Sequence, residues 1–259
     1  MDEPRKLRLH PDYPYAYETH LHTMEASACA HNTGQEMARA CKEAGYTGIF
    51  VTDHFVYGNT CVDRSLPWSE WVERFCMGYE HAKEEGDRIG LQVFFGWEAC
   101  YKGTEFLIYG LSKEWLLAHP EVRDCTIQEQ YRLVHQGGGM AIQCHPFREE
   151  PYIPEVRVFP QWSDGTEVVN ATHVSVRSKS HNDPEFDVKA LAYAKENHLP
   201  RTSGSDIHSV NLFYGGMAFS HRLETPQDYI QAVRSREQCI LLTGNETLIG
   251  ADFRLAYDD

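Results

Sequence analysis

The stretch Tyr15-Ala16-Tyr17-Glu18-Thr19-His20-Leu21-His22 reads as a β-strand that ends on two histidines at i, i+2. That spacing puts both imidazoles on one face of an extended chain. Four stretches further along repeat the device: Thr52-Asp53-His54, Gly96-Trp97-Glu98, Gln143-Cys144-His145-Pro146 and Ser205-Asp206-Ile207-His208. Each carries His, Asp or Glu to the end of a short apolar run, and Asp206 and His208 again stand two apart. Imidazoles and carboxylates aimed at one point from several strand ends describe a metal centre. A set without thiolates suits Zn, Mn or Fe rather than a structural zinc knuckle.

Strand-like and helix-like segments alternate around these stretches. After Tyr15–His22, residues 33–44 carry Met37, Ala40, Cys41 and Ala44 at helical spacing, and Gly45 stops that helix. Gly48–Asp53 reads as a buried strand, 67–85 as one long helix with an apolar face of Trp68, Trp71, Val72, Phe75 and Tyr79, and 91–98 as a third strand. Residues 105–109 form a fourth strand paired with the third. Helix 127–136 ends at Gly137-Gly138-Gly139, a helix stop rather than a phosphate cradle, because the glycines precede a strand. Strands at 140–144, 166–170, 201–206, 216–220 and 239–243 and helices at 184–197 and 226–234 complete the pattern. This rhythm predicts a mainly parallel sheet in one domain over residues 1–259, with the chemistry at the C-terminal strand ends. Loops 57–66 and 148–163 are the candidates for gating the site.

The formal charge of −14 disfavours binding a polyanion over a wide surface, so nucleic acid is not expected as a partner. No apolar run is long enough to span a membrane. The opening Met1-Asp2-Glu3-Pro4-Arg5-Lys6 has no apolar core of a leader, so a cytoplasmic protein is expected, and nothing in the sequence marks an oligomeric state. The eight cysteines include no C-x-x-C pair and are expected to be small buried residues rather than disulfides.

His-x-His on the first strand, Thr-Asp-His on the second, Glu on the third, His-Pro further on and a late Asp-x-His closely resemble the polymerase and histidinol phosphatase (PHP) family, in the family's order. The flanking Ala44-Gly45-Tyr46-Thr47-Gly48-Ile49 and Cys144-His145-Pro146-Phe147-Arg148 also look like its stand-alone bacterial members. The resemblance spans His20 to His208. It implies an α/β fold, a distorted (β/α)7 TIM-like barrel holding two or three divalent ions (Zn, Mn or Fe), and hydrolysis of phosphate esters by a hydroxide shared between ions.

Carried over, the resemblance gives His20, His22, Glu98 and Asp206 to a first metal. Glu98 would bridge to a second, also held by His145 and His173, with Asn170 and His181 as alternatives to His173. His54 and His208 would hold a third. Glu98, Asp206 and Asp53 are the carboxylates on which turnover would depend, Asp53 by orienting a neighbouring imidazole. The family usually completes the third site with an Asp or His some six residues after His-x-His. Here Ala28 stands in that position, with His31 or Glu25 as the substitutes. Arg148 and Arg177 follow ligand strands and are candidates to grip a phosphate through the guanidinium fork. His10, His81, His119, His135, His198 and His221 lie outside the motifs and read as ordinary surface or packing residues.

The expected activity is hydrolysis of a small phosphorylated metabolite. Two other functions fit a metal barrel: an amidohydrolase-type C–N or ester hydrolase, and a PHP module that keeps its metals without catalysis. The amidohydrolase class bridges its metals with a modified Lys or a Glu on a central strand. Here Glu98 comes early, and no Lys stands at a matching strand end.

Overall fold

The computed structural model describes residues 6–244 and 254–257. The described residues hold ten strands in one sheet: β1 (Tyr15–Leu21), β2 (Gly48–Val51), β3 (Gln92–Tyr101), β4 (Thr104–Tyr109), β5 (Met140–Gln143), β6 (Gly165–Asn170), β7 (Arg201–Gly204), β8 (Gly215–Phe219), β9 (Ile240–Thr243) and β10 (Arg254–Leu255). The helices are α1 (Gly34–Ala44), α2 (Trp68–Phe75), α3 (Met77–Ile89), α4 (Lys113–Ala118), α5 (Ile127–Gln136), α6 (Ala171–Val174), α7 (Glu185–Glu196) and α8 (Pro226–Arg234).

Strands β1 to β7 lie side by side in chain order. The ring nearly closes where Leu21, at the end of β1, meets Ile207, just past β7, in a parallel bridge. His22 N–H donates to the Ile207 carbonyl (2.9 Å), and Ile207 N–H donates to that of His20 (3.2 Å). The other half of β1, Tyr15 to Tyr17, pairs antiparallel with β8, so β8, β9 and β10 extend the sheet beyond seven strands. The barrel-like α/β architecture is the one expected; the strand count is larger.

The sheet is mixed rather than mainly parallel. β1–β2–β3 and β5–β6–β7 run parallel. Strand β4 is antiparallel to both β3 and β5, because Lys102 and Gly103 form a tight turn with positive φ at both positions. This reversal brings the start of β4 to the end of the barrel where the parallel strands finish.

Alternation along the strands divides the core. Phe50 packs with Tyr17, Phe94, Tyr109, Met140 and Tyr229, while its neighbours Ile49 and Val51 pack with Met37, Ala38 and Cys41 of α1. Burial on both faces explains why β2 is a continuous apolar run. Thr33 and Glu36 form a capping box on α1, and Gly45 ends it in the left-handed conformation at φ 99°. Gly138 does the same work past α5, at φ 80°.

The single helix expected over 67–85 is two helices that break at Cys76. They answer to different partners: Trp68, Trp71 and Phe75 of α2 join an aromatic cluster with Phe55 and Trp97, whereas α3 lies against α1. All eight cysteines are free, but only Cys41, Cys76, Cys144 and Cys239 are buried. No described helix is long and apolar enough to cross a membrane.

The approach of α1 to α3 depends on glycine, since a Cβ at Gly34 would lie 2.1 Å from the Gly78 carbonyl oxygen. Gly34→Ala is expected to cost about 1–3 kcal/mol through overpacking, read as a lower urea midpoint with an unchanged m value.

Candidate metal centre

The strand-end motifs converge. His20 is the last residue but one of β1 and His22 follows the strand, His54 lies just past β2, Glu98 is on β3, His145 lies past β5, and Asp206 and His208 lie past β7. His54 and Glu98 are joined by a parallel bridge. Two of these residues have left-handed backbones, His145 (φ 29°) and Asp206 (φ 56°). Such conformations cost on the order of 1–3 kcal/mol each for non-glycine residues and gather at functional sites.

Glu98 is the hub. Its Oε1 lies 3.1 Å from His145 Nε2 and 3.3 Å from His20 Nε2. Its Oε2 lies 2.6 Å from His54 Nδ1 and 3.8 Å from His22 Nε2. Asp206 Oδ1 is 3.2 Å from His22 Nε2 and 3.6 Å from His20 Nε2. His22, His54 and His208 form a second knot, each offering a ring nitrogen within 4.8 Å of the others. The His22 ring stacks on His54 at 4.2 Å and on His208 at 4.4 Å.

Four buried atoms in this cluster lack a well-aligned hydrogen bond, His20 Nε2, His22 Nε2, His54 Nδ1 and Glu98 Oε2, although each has a polar atom of the cluster within 3.3 Å. Buried polar atoms are ordinarily satisfied by aligned partners, and a cation among these four would complete what their mutual contacts leave unaligned. The donor set, neutral nitrogens with carboxylate oxygens, fits divalent metal ions.

Surrounding groups fix which nitrogen each ring presents. Glu167 Oε1 takes His20 Nδ1 (3.0 Å), which leaves Nε2 for the centre, and Glu167 Oε2 accepts from His145 N–H (3.1 Å). His208 Nδ1 donates to the Asp206 carbonyl (2.8 Å), so its Nε2 is free to ligate. Asp53 accepts from Thr23 N–H and Oγ1 (both 2.6 Å) and Ser27 Oγ (2.7 Å), while Ser27 Oγ also accepts from His54 N–H (3.0 Å). Asp53 therefore anchors the segment after β1, and burial pushes its carboxyl up to about 6 against those hydrogen bonds.

Electrostatics match the geometry. Burial opposes ionisation of Glu98, but the charges on His54 and His20 outweigh it and hold the carboxyl well below its usual range. Burial likewise opposes protonation of His54 and His20, yet neighbouring acids hold both well above the ordinary histidine value, Glu98 foremost for His54 and Asp206 for His20. His22 goes the other way, lowered by burial and then by His54 and His208.

The remaining candidates have different places. His173 is buried on α6, with Nδ1 on Asp187 Oδ1 (2.7 Å) and Nε2 accepting from Arg148 Nε (3.1 Å), outside the clustered ligand groups. Arg148 is itself buried, donates to Asp206 Oδ2 (2.8 Å) and lines the cavity over the centre. Arg177 does not line that cavity; it bonds the Leu212 carbonyl and lies over the Tyr214 ring. His31 is exposed at the cavity rim. Glu25 turns away to His81 and the Gly34 N–H. Asn170 bonds Glu167, and His181 bonds Glu150.

Sequence reasoning missed Glu167, Glu105 and Cys29. Glu167 lies within a strand, with no motif to mark it. Glu105 is 3.7 Å from His145 Nε2, and burial and then the charge on Glu98 raise its pKa. The Lys102-Gly103 turn was its signal, since a reversed β4 starts at the site. Cys29 Sγ lies 3.2 Å from His54 Nε2. Burial would raise its thiol, but contacts with His208 and His54 bring it down to about 6.

Two outcomes follow from this geometry. Glu167→Gln should weaken divalent-cation affinity about 10-fold or more without loss of fold, read by competition with a chromophoric chelator. Ligating imidazoles must be neutral, and His20 and His54 lie above their usual value without a cation. Cation uptake should therefore release protons and weaken as pH falls through neutrality, which calorimetry in buffers of different ionisation enthalpy will show.

No family model matches the chain, and no curated protein matches its sequence. Solved structures do match. One is a two-domain protein from Bacteroides vulgatus containing a predicted PHP-like metal-dependent phosphoesterase, 14% identical, with TM-score 0.66 over 93% of this chain and 71% of that one. A second is a putative metal-dependent phosphoesterase from Bifidobacterium adolescentis, 16% identical, with TM-score 0.51 over 86% of this chain and 96% of that one. A third is an amidohydrolase from Chromobacterium violaceum with bound sulfate and no metal, 13% identical, with TM-score 0.50 over 90% and 99%. This chain has the fold of the PHP-like metal-dependent phosphoesterases.

Proposed function

We propose that the chain is a PHP-family, metal-dependent phosphoesterase acting on a small phosphorylated metabolite. The observation that carries this reading is how Glu98 divides its oxygens, Oε1 toward His20 and His145 and Oε2 toward His54 and His22. Imidazoles facing both oxygens of one buried carboxylate suit a bridging place between divalent cations. His20, His22 and Asp206 would complete the first, His145 the second, and His54 with His208 a third; Zn, Mn and Fe all suit such donors. Bound there, the cations supply Lewis acidity at a phosphoryl oxygen and make water a usable nucleophile near neutral pH.

The chain's own groups do the rest. A cavity of about 610 Å³ opens over Glu98 and Asp206, with Arg148 in its wall and Lys102 at its rim. Its size suits a small molecule. Arg148 presents a planar fork that matches phosphoryl oxygens, and Asp206 and His173 fix its orientation. Cations bound beside Arg148 would supply the local positive field that a chain of net charge −14 needs to take up an anion.

The protein loaded in turn with Mn²⁺, Zn²⁺ and Fe²⁺ should release inorganic phosphate from members of a phosphomonoester panel. Glu98→Ala should abolish that turnover and lower metal content while far-UV circular dichroism stays unchanged. For Arg148→Ala the expected change is mainly a raised KM. Amide hydrolysis without phosphate release would replace this reading with the amidohydrolase one. A full metal complement with neither activity would leave a non-catalytic metal module.

A further inference from the structure

The third cation position lacks the oxygen or nitrogen ligand expected from the segment after β1. Ala28, at the expected position, is exposed, and the next residue, Cys29, lines the cavity beside His54 and His208. We propose that Cys29 completes this position as a thiolate ligand beside His54 and His208, which makes it a site for a borderline-soft divalent ion such as Zn²⁺, Co²⁺ or Fe²⁺. The proposal rests on the metal-centre reading above and deepens it.

Distance is the first support. A Zn–S bond of about 2.3 Å and a Zn–N bond of about 2.0–2.1 Å at near-tetrahedral angles separate S from N by roughly 3.3–3.6 Å. Cys29 Sγ and His54 Nε2 are 3.2 Å apart, so one small ion can take both with a shift of a few tenths of an ångström. The second support is independent of the cysteine. His22, His54 and His208 already bring ring nitrogens within 4.8 Å of each other, and His208 Nδ1 is taken by the Asp206 carbonyl, which leaves its Nε2 for a ligand role. Imidazole nitrogens gathered this closely form a ready set of electron-pair donors for one cation.

The segment is held so that the sulfur has little freedom to turn away. Ala28 N–H donates to the Asn59 carbonyl (2.8 Å), His31 N–H to the His208 carbonyl (2.8 Å), and Cys61 N–H to the Ala26 carbonyl (2.9 Å). Cys29 is thus tied on one side to the loop after β2 and on the other to His208 itself. A thiolate favours Zn²⁺ or Fe²⁺ over Mn²⁺ and Mg²⁺, so this position differs in selectivity from the oxygen- and nitrogen-only positions around Glu98.

Cobalt substitution of the full-length protein tests this without relying on turnover. Wild type loaded with Co²⁺ should show a sulfur-to-cobalt charge-transfer band in the near ultraviolet. Cys29→Ser should lose that band and one equivalent of bound metal. Cys29→Asp should regain the equivalent without the band. As a check that needs no variant, zinc K-edge absorption on the wild type should place one sulfur at about 2.3 Å. A band that survives in Cys29→Ser but disappears in Cys144→Ser would move the sulfur to the other side of Glu98 and overturn the assignment. A full metal complement with no sulfur signal would leave the centre standing and reduce Cys29 to a hydrogen-bonded thiol. Wild-type protein that takes up no divalent ion would sink the metal-centre reading and this inference together.

Discussion

A carboxylate withdrawn from water and ringed by imidazoles sets the terms for this molecule. Glu98 is 1% exposed, and burying an ion costs on the order of several kcal/mol unless neighbours offset it. His54 and His20 offset it by carrying charge, but the same crowding holds His22 neutral between His54 and His208. Several of the cluster's closest contacts are poorly aligned as hydrogen bonds, which leaves it suited to a cation. Other features serve this arrangement: strand ends that deliver the side chains, Glu167 and Asp53 that hold rings and loops, and left-handed backbones at His145 and Asp206.

Much of this was legible because the pattern is local. His-x-His at the end of an alternating strand states both its structure and its aim, and the apolar run 48–51 announces a strand buried on both faces. The helices over 127–136 and 226–234 were bounded correctly, since capping boxes at Thr126 and Thr225 mark their starts. What escaped depends on relations between segments. The sheet reads as mainly parallel until the turn at Lys102-Gly103 is taken as a reversal of direction, and with that reversal Glu105 comes to the site. The helix break at Cys76 follows from two different packing partners, which periodicity along one segment does not reveal.

The side chains that surround the ligands were the least legible, and the reason is physical. A ligand must reach a strand end, so its position along the chain is constrained. A supporting residue need only reach the ligand, from any direction. Glu167 orients His20 from the middle of β6, and Asp187 holds His173 from a helix. Cys29 was hidden by its offset: Ala28 holds the expected position, and the inward side chain is one residue later. An imidazole and acid set is therefore an incomplete account of the donors at this site.

The seam between the first strand and the segment after the seventh has a mechanical meaning. Two backbone hydrogen bonds join Ile207 to His20 and His22, and those residues stand among the ligand groups on both banks of the join. A cation held by His20 and His22 on one bank and by Asp206 on the other would act as a rivet across the edge where the sheet meets itself. Because it would bind only when positions far apart in the chain have met, it would favour the closed hoop over the unfolded chain by mass action. The ion that equips the site for chemistry would then also lock the hoop that carries it.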